Sequence, residues 1–283
     1  MPVIDLHSHS RYSDGALSPA ALVARAHERG VTVLALTDHD SVRGVPEAMA
    51  AAQVLGMEMI PAVEISAIWR HWTVHLVGLQ LDIEEPGLQD ALGLQAGARG
   101  LRARHIAERF DKLGLAGSYE AVLALAGDPD SIGRAHFAQW LLGIGRVNTM
   151  QQAFDRYLGQ GKPADVALPW MPLEAAVAVI RAAGGHAVLA HPGRYDMTRT
   201  KLRELITAFK AVGGVALEVA TATEKPDIVR YLGQLTTQFD LYASQGSDFH
   251  GAHMPWIELG RFPPLPPECR PVWQLWQPVQ APV

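Results

Sequence analysis

Two histidines two residues apart follow an apolar run at the start of the chain, in Val3-Ile4-Asp5-Leu6-His7-Ser8-His9. In an extended segment alternate side chains point to one side. His7 and His9 therefore aim their imidazoles into one space, close enough to share a metal ion. Asp14, on the turn Ser13-Asp14-Gly15, can bring a carboxylate to the same place. Later apolar runs carry more groups of this kind: His39 in Thr37-Asp38-His39-Asp40, Glu64 before Ile65-Ser66, and His75 within Trp72 to Gln80. His191 follows in Ala190-His191-Pro192-Gly193-Arg194, and Asp248 and His250 in Ser247-Asp248-Phe249-His250. Each alone has a plain structural explanation, as a capping acid or a packed histidine. Their recurrence where strands end is harder to explain that way, because gathered carboxylates repel one another unless cations lie between them. Nitrogen and oxygen donors without sulfur suit Mn²⁺, Fe²⁺ or Zn²⁺. These nine groups exceed what one ion of about four to six ligands can use. Two or three divalent ions are expected, Mn²⁺ first among them, with Glu64 placed to bridge.

The elements that must position these groups follow from periodicity. Val3–Leu6, Val31–Leu36 and Met57–Val63 read as strands, separated by helices opened by Ser18-Pro19 and spanning about 45–55. A fourth strand covers 72–80. This rhythm predicts parallel strands joined by crossovers, with the chemistry at the strand ends. Between about 86 and 169 no strand is evident. Helices over 99–113, 119–126, 135–142 and 150–158 predict a helical insertion over those strand ends. The rhythm then returns, with strands at 186–189, 215–219 and 241–244 and helices at 172–183, 201–212 and 226–238. The proline-rich tail after Phe262, with Trp273 and Trp276, is expected to pack outside the core.

Composition limits the function classes. Of 283 residues, 48% are hydrophobic and 19% charged, which suits a large buried core and argues against disorder. The net charge of −5 implies no global attraction to nucleic acid. Arginine nevertheless outnumbers lysine 19 to five, and arginine grips phosphate bidentately. Cys269 is the single cysteine, so no internal disulfide or cysteine metal site can form, and a reducing cytoplasm is expected. Asp5 and His7 interrupt any leader-like apolar start, and no run approaches a membrane-spanning length.

Asp5-Leu6-His7-Ser8-His9-Ser10, Thr37-Asp38-His39-Asp40, Ala190-His191-Pro192-Gly193 and Ser247-Asp248-Phe249-His250 resemble, in order, the four motifs of the PHP (polymerase and histidinol phosphatase) family. The resemblance covers about 1–85 and 170–255. It implies a distorted (β/α)7 barrel, residues 1–85 and 170–283, with residues 86–169 as a helical cap. It also implies a metal cluster at the barrel mouth. His7, His9, Glu64 and Asp248 would bind a first ion and Glu64, His75 and His191 a second. Asp14, His39 and His250 would bind a third or hold the substrate phosphate. Asp5 and Asp38 would orient ligating histidines. Within the family, Arg134-Ala135-His136-Phe137 and the cluster Arg99, Arg102, Arg104 are similar to the nucleoside 3′,5′-bisphosphate phosphatases, some of whose relatives trim RNA from its 5′ end.

The implied chemistry is hydrolysis of a phosphate monoester by a metal-activated water. Arg194 and Arg134 are placed to grip the phosphate, and His136 to protonate the leaving hydroxyl or contact a second phosphate. Arg102 and Arg104 would meet a second phosphate or a base. The expected partner is a small phosphorylated substrate, a nucleotide or short RNA end, with no membrane and no stable protein partner. Other readings are a histidinol-phosphate phosphatase sharing the metal core, a noncatalytic metal-binding or docking module, and C–N bond hydrolysis. The last lacks a strand-end lysine for a carbamylated bridge.

Overall fold

The computed structural model describes residues 2–168, 170–252 and 254–276. Its core is a sheet in the order β1 (Val3–Asp5), β2 (Val31–Leu36), β3 (Glu58–Trp69), β4 (Trp72–Leu79), β6 (His186–Leu189), β7 (Ala216–Thr221), β8 (Tyr242–Gly246). A two-residue strand, β5 (Met171–Pro172), pairs with β3. Helices α1 (Pro19–Glu28) and α2 (Val45–Leu55) connect the first strands, and α7 (Leu173–Ala182), α8 (Arg199–Ala211) and α9 (Pro226–Gln238) the later ones. Beyond the named strands, Leu6 N–H donates to Gln245 O at 3.1 Å and Ser8 pairs with Phe249, linking the exits of β1 and β8.

Alternation assigns each strand residue to a layer. Leu34, Leu36, Val63, Ile65, Leu76 and Leu217 pack outward with the helices in one core. Ile60, Ala62, Val77, Val188 and Ala216 face inward in another, joined by Val272. By the same alternation Glu64, Ser66, His75 and Glu218 continue the inward face toward the mouth.

Four expectations need correction. β4 runs antiparallel to both β3 and β6, so the sheet is mixed. Only Arg70 and His71 separate β3 from β4, with Arg70 at φ 57°, and two residues can close a hairpin but not a crossover. For the same reason Glu64 lies inside a long strand rather than at a strand end, while His75 lies within β4 as expected. The helix read from 99 begins at Pro86: α3 spans Pro86–Lys112, with the Glu85 carboxylate accepting the Leu88 N–H at 2.6 Å. Four glycines obscured a buried face that recurs at Leu88, Leu92, Gln95, Arg99 and Arg102. Finally, the tail does not lie wholly outside. Pro271 bridges to Ala243, and Val272 is fully buried among inward-facing strand residues, with Trp273 and Trp276 against them. The part of the tail beyond Trp276 falls outside the described residues.

Helices α3, α4 (Ser118–Ala126), α5 (Arg134–Gly143) and α6 (Met150–Ala153) share a separate apolar core built on Phe110, Val122, Phe137, Leu141 and Leu158. A π-helical turn, Phe154–Leu158, follows α6 and replaces the continuous helix expected there.

Candidate metal centre

The nine expected ligand groups meet. His7 and His9 sit on an extended segment held to β2 by Ser8, whose N–H donates to Thr37 Oγ1 at 3.1 Å and whose hydroxyl donates to Ala35 O at 2.7 Å. Their Nε2 atoms lie 3.1 Å apart. Each Nε2 is 3.2–3.3 Å from Asp248 Oδ1 and 3.4 Å from Glu64 Oε2. Four ligands about 2.0–2.2 Å from one tetrahedral ion stand about 3.3–3.6 Å from each other. The observed edges therefore match a cage around a cation. Glu64 divides its oxygens as a bridge would. Oε1 faces His75 Nδ1 at 3.1 Å and His191 Nε2 at 2.9 Å, and Oε2 also faces His39 Nδ1 at 3.0 Å. A third group combines His9, Asp14, His39 and His250, with His250 Nε2 3.3 Å from Asp14 Oδ1. Asp14 Oδ1, Glu64 Oε2 and His39 Nδ1 are buried without a hydrogen-bond partner of acceptable geometry. Buried atoms of this kind are costly unless something else satisfies them, and divalent cations fit all three.

Charge supports the same reading. Glu64 is buried, which opposes its ionisation, yet His39, His7 and His75 hold it well below the usual carboxylate range. Burial pushes His9 down to about 3, with His250 adding to the effect, so His9 presents a lone pair at neutral pH. For Asp248, burial is outweighed by Arg194 and His7, and the group stays ionised.

Glu218 was not singled out from the sequence. Its Oε1 lies 2.9 Å from His7 Nδ1, so that His7 Nε2 is the nitrogen facing the cage, and its Oε2 accepts the His191 N–H at 2.7 Å. Such a partner fixes the tautomer of a ligating imidazole. The available signal was a charged residue in the buried run Ala216–Thr221, inward by alternation. Asp5 and Asp38 do not take this part, contrary to expectation. Asp38 accepts from Ser10 N and Oγ and from Ser13 Oγ at 2.6–2.7 Å, and Asp5 from Ser247 N and Gly260 N at 2.8 Å. They hold the backbone of the ligand-bearing loops rather than the rings. Tyr195 adds a tie, donating to Ala190 O at 2.8 Å and accepting the His75 N–H at 3.0 Å. His191 and Asp248 occupy left-handed backbone, at φ 30° and 54°, a strain that persists where surrounding contacts over-determine it.

The arginines sort by geometry. Arg102 and Arg134 are largely buried and, with Arg99, line a cavity of about 170 Å³ beside Asp14, His39 and His75. Arg99 is bound to Asp40 Oδ2 (Nε at 2.7 Å) and Ser66 Oγ, fastening α3 to β3. Arg102 Nε has no hydrogen-bond partner, and burial together with Arg134 and Arg99 lowers its pKa to about 9. Arg104 is a correction: it is exposed over the Tyr119 ring, its Cζ 4.7 Å from the centroid. Residues two apart on a helix cannot share a face. Arg194 contacts Asp248 Oδ2, and Thr221 and Thr223 at 3.3 and 3.2 Å, at the edge of a second, larger cavity. His136 is buried, and its Nδ1 accepts the Gly133 N–H at 3.0 Å, capping α5.

Gly246 shows how tightly β8 approaches the first ligand. A Cβ there would fall 2.4 Å from His7 Cβ. Gly246→Ala is expected to destabilise the fold by about 1–3 kcal/mol and to lower metal content. Urea unfolding and elemental analysis check this, and an unchanged variant would show that His7 has room to move.

A mixed α/β sheet that gathers a histidine–carboxylate cluster on one face is the scaffold of a metal-dependent hydrolase. Comparison with known proteins narrows the class. Residues 5–168 match the PHP domain, and the chain belongs to that family. It is 43% identical over 274 residues to the 3′,5′-nucleoside bisphosphate phosphatase of Chromobacterium violaceum, covering 97% of this chain and 96% of that one. It is 42% identical over 277 residues to the 5′-3′ exoribonuclease Rnm of Escherichia coli, covering 97% and 94%. A solved Chromobacterium violaceum structure, described as an amidohydrolase with bound sulfate and no metal, superposes with a TM-score of 0.92 at 43% identity, over 96% of this chain and 94% of that one.

Proposed function

We propose that this enzyme hydrolyses the 3′-phosphate ester of nucleoside 3′,5′-bisphosphates, and the corresponding bond at the 5′ end of short 5′-phosphorylated RNA. The observation that carries this reading is the arginine cavity. Arg99, Arg102 and Arg134 gather beside the metal cluster, and among the described residues Arg102 and Arg134 lack an ion pair of their own. Asp165 is the acid whose charge favours both, but it pairs directly with neither. Buried guanidinium groups without a direct ionic partner are costly, and a second phosphate would supply one. The two phosphates of a bisphosphate would thus occupy adjoining sites, one on the arginines and one on the cluster. The same cavity disfavours histidinol phosphate, which has a single phosphate and a cationic amine. The named nucleotide activities of the two relatives support the assignment.

Divalent ions bound here would supply a water acidified toward a pKa of about 7 and a Lewis acid for phosphorus oxygens. The chain's own residues do the positioning. His7, His9, Glu64 and Asp248 form the first site, with Glu218 orienting His7. Glu64, His75 and His191 form the second. Asp14, His39 and His250 form a third or face the phosphate. Arg194 swings from Asp248 toward a phosphorus oxygen, within reach because Asp248 is both its partner and a cluster member. Mn²⁺ is the ion we assign, with Zn²⁺ and Fe²⁺ the alternatives that imidazole and carboxylate donors without thiolate also suit. The strands form a distorted (β/α)7 barrel, supported by the Leu6–Gln245 and Ser8–Phe249 links, with residues 86–168 as its cap, supported by their separate core. Among the described residues no helix is long and apolar enough to cross a membrane. A single cysteine suits a reducing compartment, and on that ground we assign the enzyme to the cytoplasm.

Phosphate release after Mn²⁺ loading tests the reading. Adenosine 3′,5′-bisphosphate is expected to exceed adenosine 3′-monophosphate and histidinol phosphate by about tenfold or more in kcat/KM, one charge-assisted contact being worth about 1.5–3 kcal/mol. Equal or faster turnover of histidinol phosphate would overturn it.

A further inference from the structure

The larger cavity beside the cluster is not needed for a mononucleotide whose 5′-phosphate lies on the arginines. It measures about 790 Å³ and includes none of Arg99, Arg102 and Arg134 in its lining. It adjoins the arginine cavity, sharing Asp14, Ala135 and Phe154 with it, and extends from there past Asp248, His250 and Arg194. Its outer wall is largely apolar: Met150, Phe154, Met254, Trp256 and Ile257. Asn148 and Thr149 place polar groups at its edge. Trp256 is 65% exposed, a large aromatic surface left in water at the rim.

The first nucleoside has its place toward the arginines. Its 5′-phosphate on the arginines and its 3′-phosphorus at the cluster confine it there. Trp170 lies under the Arg99 and Arg102 guanidiniums at 5.0 and 5.7 Å, and Trp72 helps to wall the adjoining space. A substituent on the far oxygen of the scissile phosphorus would leave past Arg194 and enter the larger cavity.

We propose that this cavity is the binding site for the second nucleotide of a 5′-phosphorylated RNA, with its base stacked on Trp256. Flat apolar rings beside a cation suit a nucleobase of any sequence. This inference rests on the proposed function and deepens it, because only an oligonucleotide fills the site. The bond broken is the same in both substrates. Oxygen of water joins phosphorus, the P–O3′ bond breaks, and the 3′-oxygen takes a proton. In the oligonucleotide the phosphate stays on the second nucleotide as its new 5′-phosphate. That is the group the arginine cavity recognises, so the shortened chain is itself a substrate.

Trp256→Ala in the Mn²⁺-loaded enzyme tests the site against two substrates. These are a 5′-phosphorylated adenosine dinucleotide and adenosine 3′,5′-bisphosphate. The variant is expected to lose about tenfold or more in kcat/KM on the dinucleotide, from lost stacking, and to stay within about twofold on the bisphosphate. Trp256→Phe should keep most of the dinucleotide activity. A dinucleotide whose second sugar lacks a base should cost the wild type a similar factor and the variant no more, since the two changes remove one contact. An equal fall on both substrates would place the first base there, and no fall on either would leave the cavity without this part. Both results overturn the proposal. Wild-type turnover of the bisphosphate without the dinucleotide sinks this inference alone, whereas turnover of neither sinks the proposed function beneath it.

Discussion

Glu64→Gln is expected to reduce phosphate release by about a thousandfold or more, beyond the 10–100-fold that follows loss of a group that only orients a ligand. The substitution keeps the shape of the side chain and removes its charge. Glu64 Oε1 lies within 3.1 Å of two imidazoles and Oε2 within 3.4 Å of three. No other carboxylate among the described cluster residues reaches both sets. A neutral amide has one acceptor oxygen, so it can serve one half of the cluster, while its NH₂ turns donors toward the lone pairs of the other half. Two ion sites are thus damaged by one change.

Metal content and thermal unfolding separate this from a loss of fold. Wild type at about 100 times its dissociation constant for Mn²⁺ should gain about 2.7 kcal/mol. The Glu64→Gln variant should gain much less and bind fewer ions per chain. Glu218→Gln provides the contrast. It leaves every proposed ligand in place and should cost about 10–100-fold, with most of the metal retained. A Glu64→Gln enzyme with full metal content and full activity would remove Glu64 from the centre.

The nine groups that the structure brings together were legible because each is a histidine or carboxylate in or next to an apolar run. Their distribution over the ions was less so, since His9 adjoins Asp14 and His250 as well as Asp248. Glu218 stood in plain view. A carboxylate in Ala216-Leu217-Glu218-Val219 points the same way as Ala216, but it lies on a strand that carries no further histidine and so drew no attention. The β3–β4 hairpin was hidden for another reason. Two buried strands separated by Arg70-His71 lack the glycine or asparagine that usually marks a tight turn. Reading Glu64 at a strand end followed from that omission. Arg102 and Arg104 are neighbours in sequence, whereas helical geometry sends one into the cavity and the other to Tyr119. The start of α3 was lost because propensity weighed its glycines above the buried face that tertiary packing uses.

Arg134→Ala should reverse the preference for a second phosphate without touching the metals. Arg134 has one 3.5 Å hydrogen bond, to Leu158 O, and its Cζ sits 5.8 Å from the centre of the Phe154 ring. Its charge is therefore free for a ligand. Removing it should lower kcat/KM for adenosine 3′,5′-bisphosphate by about 10–100-fold, the range for a charge-assisted contact. Adenosine 3′-monophosphate has nothing for the cavity to hold, and its turnover should stay within about twofold. Part of the loss is offset within the cavity. Arg134 and Arg99 both oppose the charge on Arg102, so deleting one strengthens what remains. Arg102→Ala alone should act similarly, and the double variant should lose less than the product of the two single effects, as neighbouring groups with a shared ligand do. Arg134→Lys should recover only part of the activity, because an ammonium cannot offer the paired donors of a guanidinium. Metal content should be unchanged throughout. If bisphosphate and monophosphate fall together, the arginine supports the fold or the reacting phosphate instead. If neither falls, the cavity does not hold the second phosphate, and the nucleotide assignment loses its main support.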